Sequence, residues 1–114
     1  MEQKLISQEE ILAKKAQIED DIKNFNILLY IKGDGRFPQC SYSAQVVEIL
    51  NAIGVKFEVR DCLEDLVLRQ AIKEYSNWPT LPQLYINQEF IGGCDTVQEL
   101  FTSGELQRLL SKEI

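Results

Sequence analysis

Residues 25–43 read FNILLYIKGDGRFPQCSYS, and the fold is inferred outward from this stretch. Phe25 to Ile31 form a short continuous apolar run, which is typical of a strand buried on both faces of a sheet. Residues 32–39 contain glycines and a proline and therefore indicate a loop. Cys40 follows this loop and precedes a segment of helical periodicity. The stretch predicts a buried strand, a loop and a helix that begins near a cysteine.

Cys40 is the first candidate for chemistry. Backbone N–H groups at a helix start point toward the sulfur, and the helix dipole there favours a thiolate, the form that attacks substrates and binds metals. Ser43 stands where a CxxC redox motif would have its second cysteine, so Cys40 has no local resolving thiol. The alternative is a buried, inert cysteine, since free cysteine is among the most buried residue types.

The rest of the chain alternates between helical and strand patterns. Apolar spacing predicts helices over 7–23, 42–53, 66–75, from about 96 to Gly104, and 105–112. Ser7 and Glu10 are spaced as a capping box, and Asp95 can cap the fourth helix. Further strands are predicted over 56–60, 84–86 and 89–91. The order α-β-α-β-α-β-β-α-α predicts an α/β fold, a mixed sheet with helices on both faces.

Composition limits the classes of function. A chain of 114 residues with 45% hydrophobic and 26% charged residues fits one globular domain, 1–114, with an N-terminal helix in 1–24 and a core over 25–112. The net charge of −6 argues against nucleic-acid binding. No apolar run approaches the ~18 residues of a membrane span, and residues 1–7 lack a signal-peptide pattern. We expect a cytoplasmic protein, in bacteria or, in a eukaryote, in the mitochondrial matrix.

The cysteines have no metal-like spacing. Cys40, Cys62 and Cys94 are odd in number, which favours free thiols in a reducing compartment over a disulfide framework. The chain has no histidine, so a Cys–His nucleophile pair and Cys/His zinc sites are excluded. Any activation of a thiol must come from a helix end, a lysine or an arginine.

With Cys40 after the first strand and Thr80-Leu81-Pro82 before the third, the chain resembles the thioredoxin fold, with a four-stranded mixed sheet flanked by helices. Its motifs resemble those of single-domain monothiol glutaredoxins of class II. The matching segments are 28–33 (LLYIKG), 38–40 (PQC), 43–45 (SAQ), 77–84 (NWPTLPQL) and 91–95 (IGGCD). That class usually carries Cys-Gly-Phe-Ser, whereas this chain has Cys-Ser-Tyr-Ser over 40–43, which is similar to some class I glutaredoxins.

The resemblance implies a glutathione site. Lys32 and Arg69 would reach the glycine carboxylate, and Lys32 would also lower the pKa of Cys40. The backbone of Leu81 would pair with the cysteinyl residue of glutathione, while the Cys94 N–H and Asp95 would hold the γ-glutamyl end. The alternatives are solvated Lys32 and Arg69 side chains and an Asp95 that only caps its helix.

Two functions follow from the resemblance. In the first, Cys40 is a metal ligand: two chains and two glutathione molecules hold a bridging [2Fe–2S] cluster, which implies a homodimer when loaded and a monomer when apo. Iron–sulfur scaffold and acceptor proteins and a BolA-like protein would be the partners. In the second, Cys40 is the catalytic thiol of a glutathione-dependent oxidoreductase that deglutathionylates proteins. The Ser41-Tyr42 departure favours this second function.

Overall fold

The computed structural model describes residues 5–113. Helices and strands occur in the predicted order: α1 Gln8–Asn24, β1 Ile27–Ile31, α2 Ser41–Ile53, β2 Glu58–Asp61, α3 Leu66–Ser76, β3 Gln83–Ile86, β4 Glu89–Gly92, α4 Cys94–Ser103 and α5 Glu105–Leu109. A 3₁₀ turn, Ser111–Glu113, ends the described chain. Residues 1–4 and 114, which the predicted domain and the signal-peptide argument include, lie outside the described residues. None of the described helices is long and apolar enough to span a membrane.

The sheet has four strands in the order β2-β1-β3-β4. β1 pairs with β2 in parallel and with β3 antiparallel, and β3 pairs with β4 antiparallel. This arrangement confirms the predicted mixed sheet flanked by helices, the thioredoxin fold. Every residue of β1 is buried, as its continuous apolar sequence predicts for a central strand.

Side chains of β1 alternate between two apolar cores, because successive residues of a strand point to opposite faces. Leu29 and Ile31 pack with residues of α2 and α4 on one face. Leu28 and Tyr30 pack with residues of α1 and α3 on the other face. The sheet is therefore covered on both faces, and the end of β1 leads directly to Cys40.

Helix α1 is fixed to the rest of the fold at several points. The Glu10 N–H donates to Ser7 Oγ at 3.1 Å, which is the N-cap half of the predicted capping box. Ile11, Ile18 and Ile22 are buried at helical spacing. Lys14 Nζ donates to Asp65 at the start of α3 at 2.8 Å. These contacts hold α1 against α3, away from Cys40.

Some element boundaries differ from the predicted ones. β2 begins at Glu58 rather than at residue 56, because its register with β1 begins at the Leu28–Glu58 pair. α4 begins at Cys94 with Gly93 as its N-cap, so the prediction that Asp95 caps this helix is wrong; Asp95 lies in the first turn. Gly104 has the left-handed φ of +84°, as expected for a helix end. The last helix then stops at Leu109.

Candidate functional site

Cys40 is the N-cap residue of α2, with extended backbone angles (φ −137°, ψ 134°). Its carbonyl oxygen accepts from the Ala44 N–H at 2.9 Å, which closes the first helical turn. The side chain is half-buried, so the thiol can be approached from solvent. The Cys40 side chain makes no capping hydrogen bond to the N–H groups of the first turn of α2. These N–H groups are therefore free to face a thiolate at Cys40.

The surroundings of Cys40 favour the thiolate. Burial by itself would raise the pKa of Cys40, but the backbone N–H groups of Ser43 and Tyr42, the Ser43 hydroxyl and the Lys32 ammonium outweigh it, and the net pKa is lowered. Ser43 is fully buried, and its Oγ also accepts from the Lys32 N–H at 3.2 Å. The end of β1 and the start of α2 are thus joined beside the sulfur.

Cys40 opens onto a groove of about 510 Å³. Its walls come from the end of β1, the first turn of α2, the last turns of α3, the segment from Trp78 to Pro82 and the first turn of α4. Trp78 is 38% exposed, and its ring packs edge-on against Phe90 with centroids 5.6 Å apart. Among the described residues, the rings of Tyr42 and Trp78 and the basic side chains of Lys32 and Lys73 therefore line the groove beside the accessible Cys40 thiol.

The structure brings five of the six sequence-predicted site residues to this groove. They are Lys32, Cys40, Leu81, Cys94 and Asp95. Arg69 is not among the residues that line it, whereas Lys73, one helical turn further along α3, is. Lys73 was missed in the sequence, although its i+4 spacing from Arg69 places both on one helix face.

The segment before β3 offers backbone groups to the groove. The Leu81–Pro82 peptide bond is cis, and the side chain of Leu81 is buried in the core shared by α1 and α3. Within residues 5–113, neither the N–H nor the C=O of Leu81 takes part in a hydrogen bond. These groups are available to pair with an extended ligand backbone.

The opposite wall is the start of α4. Gly92 has a φ of +142°, and a Cβ there would lie 2.8 Å from the Cβ of Thr96, so only glycine fits this turn. The chain then enters α4 with the N–H groups of its first turn at the groove. A helix N-terminus of this kind attracts carboxylates. Asp95 is exposed at the same place.

The other two cysteines differ from Cys40 in burial and in pKa. Cys94 is buried, its Sγ donates to Gln45 Oε1 at 3.1 Å, and burial, Asp95 and Cys40 together raise its pKa. Cys62 is fully buried beneath α1 and α3, and burial raises its pKa to about 12. Cys40 is therefore the thiol suited to ligation or attack. No cluster of three or more Cys, His, Asp or Glu side chains with metal-binding geometry occurs among the described residues.

The sequence of the chain is similar to those of known proteins. A family model described as Glutaredoxin matches residues 27–91. A monothiol glutaredoxin of Synechocystis is 49% identical over 84% of this chain and 90% of its own length. The mitochondrial monothiol glutaredoxin-5 of Saccharomyces cerevisiae is 47% identical over 83% of this chain and 65% of its own.

Solved structures show the same fold. Reduced poplar apo GrxS14 has a TM-score of 0.75 and 45% identity, covering 87% of this chain and 91% of its own. A buckwheat glutaredoxin–glutathione complex has a TM-score of 0.83 over 94% of this chain and 96% of its own. Its identity of 18% makes it evidence for the fold alone.

Proposed function

Because the chain belongs to the glutaredoxin family, and its relatives are monothiol glutaredoxins, we propose that it binds glutathione at Cys40 and carries a bridging [2Fe–2S] cluster to other proteins. The observation that carries the proposal is one half-exposed thiol with a lowered pKa, in a groove with free backbone donors and two lysines. Glutathione is the ligand named for the buckwheat glutaredoxin of the same fold.

The groove has a counterpart for each part of glutathione. Lys32 and Lys73 bind the glycine carboxylate, and we retain Arg69 as a longer-range contributor to the same charge. The free N–H and C=O of Leu81 pair with the cysteinyl backbone, as in the addition of a strand. The first turn of α4, with the Cys94 N–H, binds the γ-glutamyl carboxylate, and Asp95 accepts from the ammonium group.

The cluster is cargo shared between two chains. A [2Fe–2S] cluster takes four sulfur ligands, and each groove supplies one accessible thiolate, Cys40. Two chains and two glutathione thiolates complete the set, so the loaded form is a homodimer and the apo form a monomer. Because half of the ligands are small molecules, the cluster can be released to an acceptor.

The proposed partners are iron–sulfur scaffold and acceptor proteins and a BolA-like protein. The proposed location is the bacterial cytoplasm or the mitochondrial matrix. Several of the curated relatives are named as mitochondrial or chloroplastic proteins, compartments in which cluster carriers would operate.

Glutathione-dependent thiol exchange is the second candidate, and the lowered pKa of Cys40 and the Ser41-Tyr42 pair favour it. The Cys40 thiolate attacks the glutathione sulfur of a glutathionylated protein, forms a Cys40–glutathione disulfide and expels the protein thiolate. A free glutathione thiolate then attacks that disulfide, releasing oxidised glutathione and the Cys40 thiolate. No second protein thiol is required.

Anaerobic reconstitution with iron, sulfide and glutathione tests the proposal. We expect a coloured dimer that becomes a colourless monomer when glutathione is removed, measured by visible absorption and size-exclusion elution. Cys40→Ser should give neither colour nor thiol exchange, with Cys62→Ala as a control that retains the site. A colourless monomer that turns over a glutathione mixed disulfide would contradict the carrier function and support the second candidate.

The double variant Ser41→Gly, Tyr42→Phe separates the two functions further. It restores the usual Cys-Gly-Phe-Ser sequence without touching Cys40 or Ser43. If Ser41 and Tyr42 favour exchange, the variant should hold more cluster per chain and reduce a glutathione mixed disulfide more slowly. An unchanged ratio of the two activities would show that these residues do not set the balance.

A further inference from the structure

A second cavity, larger than the groove at Cys40, lies along the outer edge of β2. Its volume is about 790 Å³, compared with about 510 Å³ at Cys40. Its walls are the start of α1, the turn at 34–35, residues 59–61 of β2 and the segment 64–68; we call it the β2-edge groove. None of the described residues lines both this groove and the groove at Cys40, so the proposed glutathione site does not account for it.

One wall of the β2-edge groove is an open strand edge. In the described part of the chain, β2 pairs with β1 alone and is the first strand in the sheet order. The Cys62 N–H donates to the Ile31 carbonyl of β1 at 2.8 Å. Because backbone groups alternate in direction along a strand, those of Val59 and Asp61 point outward. Within residues 5–113, the N–H groups of Val59 and Asp61 and the C=O of Asp61 have no hydrogen-bond partner, whereas the Val59 C=O accepts from Arg60 Nη1 at 3.1 Å. An added strand can therefore pair with the three free groups of this edge.

Apolar side chains stand beside this edge. Leu66 is 60% exposed and Ile6 is 37% exposed, and both line the β2-edge groove. Val59 and Val67 add half-buried apolar surface. An added strand would place alternate side chains against these residues, so the groove favours a segment with apolar residues at every second position.

The charge of the β2-edge groove favours basic residues at the other positions of such a segment. Its acidic lining residues are Glu10, Asp34, Asp61, Glu64 and Asp65. Among the described lining residues, the one basic side chain is that of Arg60, which is paired with Asp21 at 3.0 Å and with Glu58 at 2.8 Å. Lys14 neutralises only Asp65. Among residues 5–113, the other four carboxylates form no ion pair, although Asp34 and Asp61 each accept backbone N–H groups through Oδ1. Oδ2 of these two residues and the carboxylates of Glu10 and Glu64 remain to complement lysine or arginine side chains.

From this combination we infer that the β2-edge groove binds an extended, basic segment of a partner protein, which pairs with β2 as an added strand. Its lysines or arginines meet the carboxylates, and its apolar residues contact Ile6 and Leu66. A second copy of this chain fits less well, because it carries a net charge of −6 and would bring the same carboxylates together.

Two synthetic peptides of equal length test the inference on the apo protein without glutathione. One alternates valine and lysine, and the other alternates valine and glutamate. We expect the first to shift the amide NMR signals of residues 59–61 and 64–67 and to slow hydrogen exchange at Val59 and Asp61. Exchange at Arg60, whose N–H faces β1, should not change. Shifts confined to other surfaces, or equal binding of both peptides, would overturn the inference.

A matched pair of charge reversals tests the site itself. Glu64 lines the β2-edge groove, and Glu99 is an exposed residue of α4. The substitutions Glu64→Lys and Glu99→Lys change the net charge by the same amount. We expect Glu64→Lys to weaken binding of the valine–lysine peptide on the order of fivefold more than Glu99→Lys at low salt. Equal effects would overturn the assignment. Peptide-free dimerisation that protects Val59 and Asp61 would assign the edge to a second copy instead.

Discussion

At the scale of single residues, Ser43 shows how a monothiol site is supported without a second cysteine. Its side chain is fully buried, accepts from the Lys32 N–H and lies close enough to Cys40 to stabilise a thiolate. A hydroxyl at this position cannot form a disulfide, but it can donate to the thiolate. Ser43 therefore cannot take part in a disulfide, but its hydroxyl favours the thiolate form of Cys40.

Replacing Ser43 with alanine should raise the pKa of Cys40, because one donor to the thiolate is lost. The folded protein holds this pKa below its ordinary value, so the variant's thiolate should appear only at higher pH. The pH dependence of the rate of alkylation by iodoacetamide, with Cys62 and Cys94 replaced by alanine in each protein, measures this shift. Ser111→Ala, an exposed serine outside the groove, is the control. An unshifted curve would contradict the role of the hydroxyl.

Lys73 and Arg69 provide a paired test of the basic wall. Lys73 lines the groove and Arg69 does not, although both lie on α3 one turn apart. Lys73→Gln should weaken glutathione binding on the order of fivefold, and Arg69→Gln should have a smaller effect, measured by titration calorimetry at low salt. A larger effect from Arg69→Gln would instead support the contribution inferred from family resemblance.

The sequence predicted much of this site at the residue scale and missed Lys73 for a definable reason. Cys40, Leu81 and the residues around Gly92 belong to sequence motifs whose local backbone geometry brings them to the groove. Lys73 reaches the groove from a helix face, where residues four apart have equivalent positions in the sequence pattern. Only the crossing of α3 over the sheet decides which turn reaches the groove.

At the scale of elements, Asp65 connects α1 to α3. Its Oδ1 accepts from the Leu68 N–H at 2.9 Å and caps α3, while Lys14 of α1 donates to Oδ2 at 2.8 Å. Burial by itself would raise the pKa of Asp65. Lys14 and the N–H groups of Leu68 and Val67 outweigh burial, so the net pKa lies below its ordinary value. One carboxylate thus both starts a helix and docks another.

Asp65→Ala should lower the free energy of unfolding by about 1–2 kcal/mol, since it removes the cap and the ion pair. Asp65→Asn keeps a capping oxygen and should cost less. Because the folded pKa is lowered, the charge contributes above the unfolded pKa, near 3.9, and is lost as pH falls through the folded value. Urea unfolding at pH 7 and pH 3 should therefore show the difference between wild type and Asp65→Asn shrinking at pH 3. Asp20→Asn, on the exposed face of α1, is the control.

Element order could be read from the sequence, but element ends depended on tertiary pairing. The alternation at 56–60 predicts a strand, yet residues 56 and 57 find no partner on β1 and stay outside β2. Asp95 is a residue type that commonly caps helices. The positive φ of Gly92 nevertheless lets α4 begin at Cys94, one residue before Asp95. Periodicity identifies a segment, whereas neighbouring strands and backbone angles determine where it ends.

At the scale of the whole molecule, the acidic charge and the accessible Cys40 thiol bear on the homodimer proposed above. Each chain has a net charge of −6, so like chains repel unless a contact offsets the repulsion. The proposed cluster, held by Cys40 of both chains, supplies that contact. Dimerisation should therefore depend on the cluster.

Mixing wild type with Cys40→Ser tests this dependence. If only the cluster joins the chains, an equimolar amount of Cys40→Ser added before reconstitution with saturating iron and sulfide should leave iron per wild-type chain unchanged, because the variant cannot enter a dimer. Elemental analysis after size-exclusion chromatography measures iron in the dimer, and an equimolar amount of serum albumin controls for non-specific loss. If the chains paired through protein contacts instead, mixed dimers would form and iron per wild-type chain would fall toward about half, the random-pairing expectation from mass action.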